Sequence, residues 1–230
     1  RVFLMDEPLC NLDAKMRATM RTEIKKLVSE LGITTVYVTH DQIEAMAMAD
    51  RIAVMSRGEM VQIGSPLEIY DQPKARFVAE LIGSPPMNLV EATVGSDRRL
   101  HAHPQYLADT VAPEQLQRVL NGAIVPGSKI LVGVRPEHIR IDADPAASGA
   151  EARVELIEPL GQQTNVYLQL GDARLIAITD RPHFHTGDTV RIQVTPDKLH
   201  LINEGAHVDV HGSASAAAQL RQGDTRMAAH

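Results

Sequence analysis

Two acidic residues and a histidine follow the first two apolar segments of the chain. Asp6 and Glu7 come directly after the apolar run at residues 2–5, and His40 comes directly after the β-branched run at residues 33–39. A short unbroken apolar run is typical of a strand that is buried on both faces of a parallel sheet. Ligands of open α/β sheets bind where such strands end, so the three polar side chains could share one site.

These residue types suit chemistry on a phosphate. The carboxylate of Asp6 could hold Mg²⁺, directly or through water, while Glu7 orients or deprotonates a water molecule. His40 could contact a phosphoryl oxygen or hold the reacting water. Two plainer interpretations remain open at this point. The acids could form a solvated strand end, and His40 could cap a helix or be a buried, satisfied histidine.

The segment between the two runs indicates how the strands are oriented. From residue 13 to residue 31 apolar residues recur at spacings of three and four, and Gly32 follows, which predicts an amphipathic helix. A strand, a helix and a second strand form a right-handed βαβ unit in which the two strands are parallel. Asp6, Glu7 and His40 should therefore emerge at the same edge of one sheet.

The order and spacing of these motifs resemble those of ABC-type ATPases. Residues 1–8, RVFLMDEP, are similar to the Walker B strand and catalytic Glu of that family, and residues 11–13, NLD, are similar to its D-loop. Residues 36–50, VYVTHDQIEAMAMAD, are similar to the segment that contains the switch histidine. Three motifs in this order make the resemblance far more specific than any one of them.

The resemblance implies a role for each matching residue. Asp6 would bind Mg²⁺, directly or through water, and Glu7 would polarise the water that attacks the γ-phosphate of ATP. Asp13 would contribute to nucleotide binding from the subunit interface, and His40 would sense or stabilise the γ-phosphate. ATP and Mg²⁺ are the implied cofactors. The implied partners are a second ATPase subunit in a homodimer, transmembrane permease subunits and, indirectly, an external solute-binding protein, at the cytoplasmic face of the membrane.

Further segments resemble the carbohydrate-import branch of the family, namely its maltose-type and glycerol-phosphate-type subunits. Residues 50–73 and 77–88 are similar to the end of the nucleotide-binding domain in that branch. Residues 132–139, 154–170 and 195–203 are similar to recurrent parts of its OB-like regulatory domain. The implied fold is α/β, a partial P-loop NTPase-type parallel sheet with helices, followed by an all-β OB-like regulatory barrel.

The clearest break in the sequence is the GSPP segment at residues 83–86, because consecutive prolines remove backbone donors and exclude helix. Residues 1–86 are assigned to the C-terminal part of the nucleotide-binding domain. Residues 87–210 are assigned to the regulatory domain, where short β-like runs separated by Gly, Pro and Asp predict a small antiparallel barrel. Residues 211–230, rich in Ala, Ser, Gln and Gly, are predicted to be a disordered tail.

Composition excludes several classes of protein. The 230 residues are 44% hydrophobic and 23% charged, which is ordinary for a folded protein. A net charge of −6 lacks the basic surplus that neutralises a row of phosphates, so nucleic acid is not an expected partner. The single cysteine, Cys10, excludes an internal disulfide and fits a reducing compartment. No run of about 18 apolar residues occurs, so membrane association would go through a partner.

The phosphate-binding motifs of the family are missing from the 230 residues. No G-x-x-x-x-G-K-[ST] loop, Gln loop or LSGGQ-type signature occurs, and Arg1 stands first, so we expect a longer parent protein. Most nucleotide affinity in this class comes from the phosphate loop, so we expect the chain alone neither to bind ATP tightly nor to hydrolyse it. Cys10 replaces a small hydroxyl residue of the D-loop, a near-isosteric change with a mild expected effect.

The leading hypothesis is therefore an ATP-hydrolysing subunit of an ABC importer, which couples hydrolysis to the uptake of a sugar or related solute. The alternative is a truncated, catalytically incompetent remnant that acts as a regulatory or small-ligand-sensing module. The pairs His101 with His103 and His183 with His185 could suggest a metal site, but exposed loop histidines are the simpler interpretation without a third ligand. Residues 135–137 are assigned to a turn between barrel strands.

Overall fold

The structure, a computed structural model, describes residues 2–119 and 125–203, so the predicted tail at 211–230 lies outside the described residues. Two strands of a parallel sheet, a β-hairpin and four helices make up the described residues before position 87. They are β1 (Val2–Asp6), α1 (Ala14–Leu31), β2 (Thr34–Val38), α2 (Gln42–Met48), β3 (Ile52–Ser56), β4 (Glu59–Gly64), α3 (Pro66–Asp71) and α4 (Arg76–Leu81).

The first three elements form the βαβ unit that the sequence predicts. Strands β1 and β2 pair in parallel, and the register sets Asp6 beside Val38, so both strands end at the same edge. Helix α1 begins after Asp13, whose side chain caps it, and ends at Gly32 with φ of 58°. A left-handed residue at this position is the usual end of a helix and favours glycine.

The sheet of β1 and β2 is open on both faces, which the sequence did not predict. Phe3 is 49% exposed, Leu4 75% and Val36 50%, and α1 has no buried residue. Strands buried on both faces need further strands and helices around them, and in the described part of the chain only β1 and β2 belong to this sheet. Two parallel strands do not establish the expected P-loop NTPase-type sheet, which remains a proposal.

The hairpin and the next two helices agree with the sequence. Strands β3 and β4 are antiparallel, and α3 starts with a capping box between Ser65 and Glu68. The sequence also predicts a helix over residues 74–82, and the helix in the structure is shorter, at Arg76–Leu81. These elements share a small core of buried apolar side chains, which contains Ile52, Val54, Ile69, Val78 and Ile82.

The residues after position 86 form two antiparallel sheets around one large core, where the sequence predicts a small antiparallel barrel. The antiparallel strands are as expected, but two short helices also occur, so this part is not all-β. The elements are β5 (Asn88–Val94), β6 (Leu100–Ala102), α5 (Gln105–Asp109), α6 (Pro113–Val119), β7 (Lys129–Val134), β8 (Arg140–Asp142), β9 (Ala150–Pro159), β10 (Thr164–Leu170), β11 (Ala173–Thr179), β12 (Thr189–Gln193) and β13 (Leu199–Ile202). The strand order is β11-β10-β9-β12-β8 in one sheet and β13-β7-β5-β6 in the other.

Sequence reasoning missed four elements of this part and misplaced one. Strands β5 and β6 and helices α5 and α6 were not predicted; β6, α5 and α6 have three to seven residues each, too few for a clear periodic signal. The β-like run at residues 138–141 predicts a strand, and this prediction is wrong at its start. Pro136–His138 forms a 3-10 turn there, and β8 begins only at Arg140.

Arg135 joins the two parts of the chain. The turn assigned to residues 135–137 is confirmed, but its arginine is only 1% exposed and reaches back to the helices before the GSPP segment. Its guanidinium donates to the carbonyl oxygen of Ile82 at 2.7 Å and to that of Tyr70. The guanidinium carbon also lies 3.5 Å from the centroid of the Tyr70 ring, a cation–π contact.

Candidate functional site

Glu7 lies at the edge where the two parallel strands end. Its backbone N–H donates to the carbonyl oxygen of Val38 at 2.9 Å, which continues the pairing of β1 and β2 by one residue. Its φ is 43°, in the left-handed region that favours glycine. Such a conformation costs about 1–3 kcal/mol for other residues and is concentrated at functional sites. The backbone therefore presents this carboxylate in a way that an ordinary strand end would not.

The Glu7 carboxylate and the His40 imidazole are in contact. Nδ1 of His40 is 3.0 Å from Oε1 of Glu7, and the two side chains are 73% and 43% exposed. The hydrogen bond and the negative charge of Glu7 raise the pKa of His40 above its ordinary value. His40 is thus neither buried nor a helix cap, since Asp41 caps α2.

The turn after β2 is held by Asp41. Its carboxylate accepts from the backbone N–H of Ile43 at 2.8 Å and of Glu44 at 3.3 Å. Arg17 of α1 donates to the same carboxylate at 3.3 Å and to the carbonyl oxygen of Leu12 at 3.1 Å. Burial opposes ionisation of Asp41, but these hydrogen bonds and the Arg17 charge outweigh it and lower the pKa of Asp41.

Glu44 is a buried acid behind this turn, only 3% exposed. Its Oε2 accepts from the hydroxyl of Tyr37 at 3.0 Å and from Oγ1 of Thr39 at 2.8 Å. In the sequence, Asp41 followed three residues later by Glu44 predicts a capping box at the start of α2. One of its two hydrogen bonds is present, because the Asp41 side chain accepts from the backbone N–H of Glu44. The Glu44 carboxylate instead bonds the two hydroxyls of β2 and the turn that follows it.

A cavity of about 50 Å³ opens between these groups and is lined by Glu7, Cys10, Arg17, Thr39, His40, Asp41 and Glu44. Since a water molecule needs about 10–15 Å³ by this kind of measure, the cavity can hold water. It is far smaller than the roughly 300–1,000 Å³ of typical small-molecule sites. This cavity thus offers a place for a water molecule beside Glu7 and His40 and is too small for a whole nucleotide.

Asp6 and Asp13 lie outside this cavity. Asp6 is exposed at the end of β1, and its carboxylate has no hydrogen bond or ion pair to the described residues. Asp13 is engaged as the cap of α1, where its side chain accepts from the backbone N–H of Met16 at 2.9 Å. The structure therefore brings Glu7 and His40 together and leaves the two aspartates apart from them.

Asp6 alone does not form a metal site. Among the residues that the structure describes, no three His, Cys, Asp or Glu side chains are grouped to hold a metal ion. Mg²⁺ commonly binds to one or two carboxylates and completes its shell with water and substrate phosphates. A free carboxylate at the strand end fits that pattern only when phosphate oxygens are present. Of the histidines, His101 pairs with Asp97 at 3.1 Å, and His185 lies 3.7 Å from Asp188.

Sequence reasoning missed four residues that shape this site, namely Arg17, Tyr37, Thr39 and Glu44. Tyr37 and Thr39 are polar groups in a run otherwise rich in apolar residues, which is a signal for a buried polar partner. Arg17 gives no such signal. It lies on a helix with many charged residues, and its contacts depend on how α1 packs beside the turn.

Two family models match the second part of the chain. The MalK OB fold domain matches residues 83–139, and the TOBE domain matches residues 132–202. The expected OB-like character of this part is thereby confirmed. In the described part of the chain, no helix has the length and apolar character needed to cross a membrane.

Curated relatives match most of the chain. The sulfoquinovosyl glycerol transport ATP-binding protein SmoE of Agrobacterium fabrum is 40% identical over 92% of this chain and 58% of its own length. The sn-glycerol-3-phosphate import ATP-binding protein UgpC of Vibrio vulnificus is 41% identical, over 89% and 53%. The trehalose/maltose import ATP-binding protein MalK of Thermococcus litoralis is 42% identical, over 89% and 56%. The chain therefore spans a little more than half the length of these relatives.

Proposed function

The chain is a homologue of the ATP-binding subunits of ABC importers for sugars and glycerol phosphate, and on that premise we propose that it supplies the water-activating part of an ATPase site. Glu7 orients the water by accepting a hydrogen bond from it as the water attacks the γ-phosphate in line. His40 holds Glu7 in place and contacts the γ-phosphate. Hydrolysis at this site drives uptake of a sugar or a related solute.

The contact between Glu7 and His40 is the observation that carries this proposal. Oε1 of Glu7 is engaged by His40 at 3.0 Å, while Oε2 has no partner among the described residues and can accept from a water molecule. The adjoining cavity has room for that water. A solvated strand end would not require the left-handed backbone at Glu7.

Asp6 would hold Mg²⁺, directly or through water, together with phosphate oxygens of the nucleotide. Mg²⁺, when bound, offsets the negative charge of the phosphates and of the developing transition state. Asp13 would face the nucleotide from across a homodimer interface. The remaining partners would be transmembrane permease subunits, which hold the subunit at the cytoplasmic face of the membrane, and an external solute-binding protein that acts through them.

The phosphate-binding part of the site would have to come from another segment. The 230 residues contain no phosphate loop, and the cavity beside Glu7 is too small for a nucleotide. The open faces of β1 and β2, with Phe3, Leu4 and Val36 exposed, support this view because apolar sheet faces are normally covered. We therefore expect the isolated chain to show no ATP turnover.

A fusion protein tests the proposal. A segment from a relative that carries both G-x-x-x-x-G-K-[ST] and an LSGGQ-type motif is joined ahead of the chain, and ATP hydrolysis is measured with Mg²⁺. We expect turnover by the fusion, and we expect Glu7→Gln and His40→Ala each to lower kcat by about 100-fold or more. The matched control is Glu23→Gln, which changes an exposed acid of α1 paired with Lys26 and should leave kcat unchanged.

Two results would contradict the proposal. The first is a folded fusion that binds ATP and does not hydrolyse it. The second is a Glu7→Gln fusion that hydrolyses ATP as fast as its parent. ATP turnover by the unfused 230-residue chain that Glu7→Gln abolishes would contradict only the expectation that another segment is needed.

A second candidate function is the binding of a small anion by the second part of the chain. A surface cavity of about 390 Å³ has the apolar side chains of Leu100 and Leu116 in its lining, along with Arg98, Arg99 and the acid Asp109. The two arginine side chains are exposed and make no hydrogen bond or ion pair to the described residues. Two exposed guanidinium groups next to apolar side chains suit an anion with an apolar part, such as a phosphorylated or carboxylated metabolite.

Thermal unfolding with added ligands tests this candidate. A ligand that binds only the folded chain raises its Tm, so we expect phosphate esters or carboxylates to raise the Tm and neutral sugars not to. The double variant Arg98→Gln, Arg99→Gln should lose the shift, while Arg174→Gln, which changes an exposed arginine elsewhere, should keep it. No shift with any anion would remove this candidate.

A further inference from the structure

The buried carboxylate of Glu44 forms no ion pair with the described residues, although Arg17 and His40 line the same cavity. Its hydrogen bonds come from two hydroxyls, Tyr37 at 3.0 Å and Thr39 at 2.8 Å. An acid buried to 3% exposure is costly to keep in place, and such groups are retained where their hydrogen bonds fix a local geometry. Burial and the bond to Glu44 raise the pKa of Tyr37, so its hydroxyl remains a proton donor over the physiological range.

Thr39 connects this acid to the turn that carries His40. Oγ1 of Thr39 donates to Glu44 at 2.8 Å and accepts from the backbone N–H of Asp41 at 2.9 Å. The hydroxyl thus links the buried carboxylate to the residues on either side of His40. Tyr37 lies two residues earlier, inside β2, and its hydroxyl makes no comparable link to the turn.

We propose that Glu44 is a positioning residue of the water-activating site: through Thr39 it holds the turn at residues 39–41, and so keeps the His40 imidazole on Glu7. An exposed histidine at the surface has many rotamers and would otherwise lose its side-chain entropy to make a single contact. The importance of this positioning for hydrolysis rests on the proposed function. The contact between His40 and Glu7 is a property of the chain without nucleotide.

The tautomer of His40, that is, which ring nitrogen carries the proton, shows whether the turn at residues 39–41 is held. Because a Glu7 carboxylate only accepts, the neutral imidazole must carry its proton on Nδ1 while the contact persists. A free imidazole exchanges between both tautomers. NMR of the ring nitrogens distinguishes the two situations in the apo chain, and nuclear Overhauser contacts between the His40 ring and the Glu7 side chain report their distance.

Three variants separate the link from general loss of packing. Thr39→Val keeps the shape of the side chain but removes both hydrogen bonds, and Glu44→Ala removes the acid itself. We expect both to lose the Nδ1-protonated preference of His40 and its contact with Glu7. Tyr37→Phe is the matched control, because it removes a bond of similar length to the same carboxylate without touching the turn. It should leave the His40 signals unchanged.

Circular dichroism and the amide spectrum confirm that each variant is folded. If Glu44→Ala does not fold, Thr39→Val carries the test. A folded Thr39→Val chain in which His40 stays fixed on Glu7 would overturn the proposal, and so would a Tyr37→Phe chain that loses the contact. Since no nucleotide is involved, a failure of the ATPase proposal would not produce either result.

Discussion

At the scale of single residues, the charge of His40 depends on Glu7. The Glu7 carboxylate favours the protonated imidazole, so the pKa of His40 is raised in the folded chain. A raised histidine pKa means that the contact contributes fully at pH values below the ordinary imidazole pKa and weakens as pH rises through the raised value. The pair is exposed, so its effect on global stability is small.

This gives a pH prediction for the apo chain. In an NMR titration, the His40 ring protons should titrate above the ordinary histidine pKa, and Glu7→Gln should return the midpoint toward that value. Glu23→Gln is the control, because it removes an acid from the exposed face of α1. An unchanged His40 midpoint in Glu7→Gln would show that the contact does not form in solution.

Arg135 gives a stability prediction. Its guanidinium is buried between the carbonyl oxygens of Tyr70 and Ile82 and over the Tyr70 ring. Arg135→Met keeps much of the side chain's volume but leaves both carbonyl oxygens without this donor, so we expect a loss of about 2–4 kcal/mol in the free energy of unfolding. Urea denaturation measures it.

Arg174→Met is the matched control for this change. Arg174 is 80% exposed and forms a surface ion pair with Glu155 at 3.3 Å, so its loss should cost less than about 1 kcal/mol. Equal effects of the two substitutions would contradict the role assigned to Arg135.

At the scale of elements, the start of α1 shows that one residue can serve two purposes. Asp13 caps the helix through a hydrogen bond from Met16 and is also the residue proposed to face a partner subunit. Asn caps helices as well as Asp does but carries no charge. The two roles can therefore be separated by substitution.

We expect Asp13→Ala to cost about 1 kcal/mol of stability, together with some helicity, and Asp13→Asn to cost little. Circular dichroism at 222 nm during urea denaturation measures both variants of the chain. If Asp13→Asn retains stability and the corresponding fusion loses ATP hydrolysis, the loss is due to the charge. A loss of stability in Asp13→Asn as large as in Asp13→Ala would show that the cap depends on that charge.

At the scale of the whole molecule, burial is unevenly distributed. The two antiparallel sheets enclose a large core that includes Val132, Val166 and Leu168, each 0% exposed. Helix α1 has no buried residue, and the β1–β2 sheet is exposed on both faces. Segments with little buried surface unfold locally more easily. The free energy of local unfolding should therefore be lower for α1 and the β1–β2 sheet than for the two antiparallel sheets.

Hydrogen exchange should reveal this difference. We expect the amides of α1 to exchange about 100-fold or more faster than those of β10, because a helix without buried side chains gains little from the rest of the fold. Mass spectrometry of the exchanged chain measures the amide exchange rates of α1 and β10 at residue or peptide level. Equal protection of α1 and β10 would mean that another segment or a second copy covers the helix.

Part of this structure could be predicted from the sequence. Caps, turns and strand order arise from residues that are near in the chain, so Asp13, Gly32, the β3–β4 hairpin and the parallel β1–β2 pair were all predictable. Even the meeting of Glu7 and His40 follows from the parallel pairing of β1 and β2, which makes both strands end at the same edge. Resemblance to a family then supplied the proposed chemistry.

Other features were decided only by the tertiary structure. The contacts of Arg135 with Tyr70 and Ile82 span 65 and 53 residues of sequence, and the burial of Glu44 behind the His40 turn depends on how α2 packs on β2. No local pattern encodes such contacts, because packing and the satisfaction of buried polar groups are settled among residues that only the fold brings together. Sequence determined which groups could do chemistry here, and packing determined which of them are held in place.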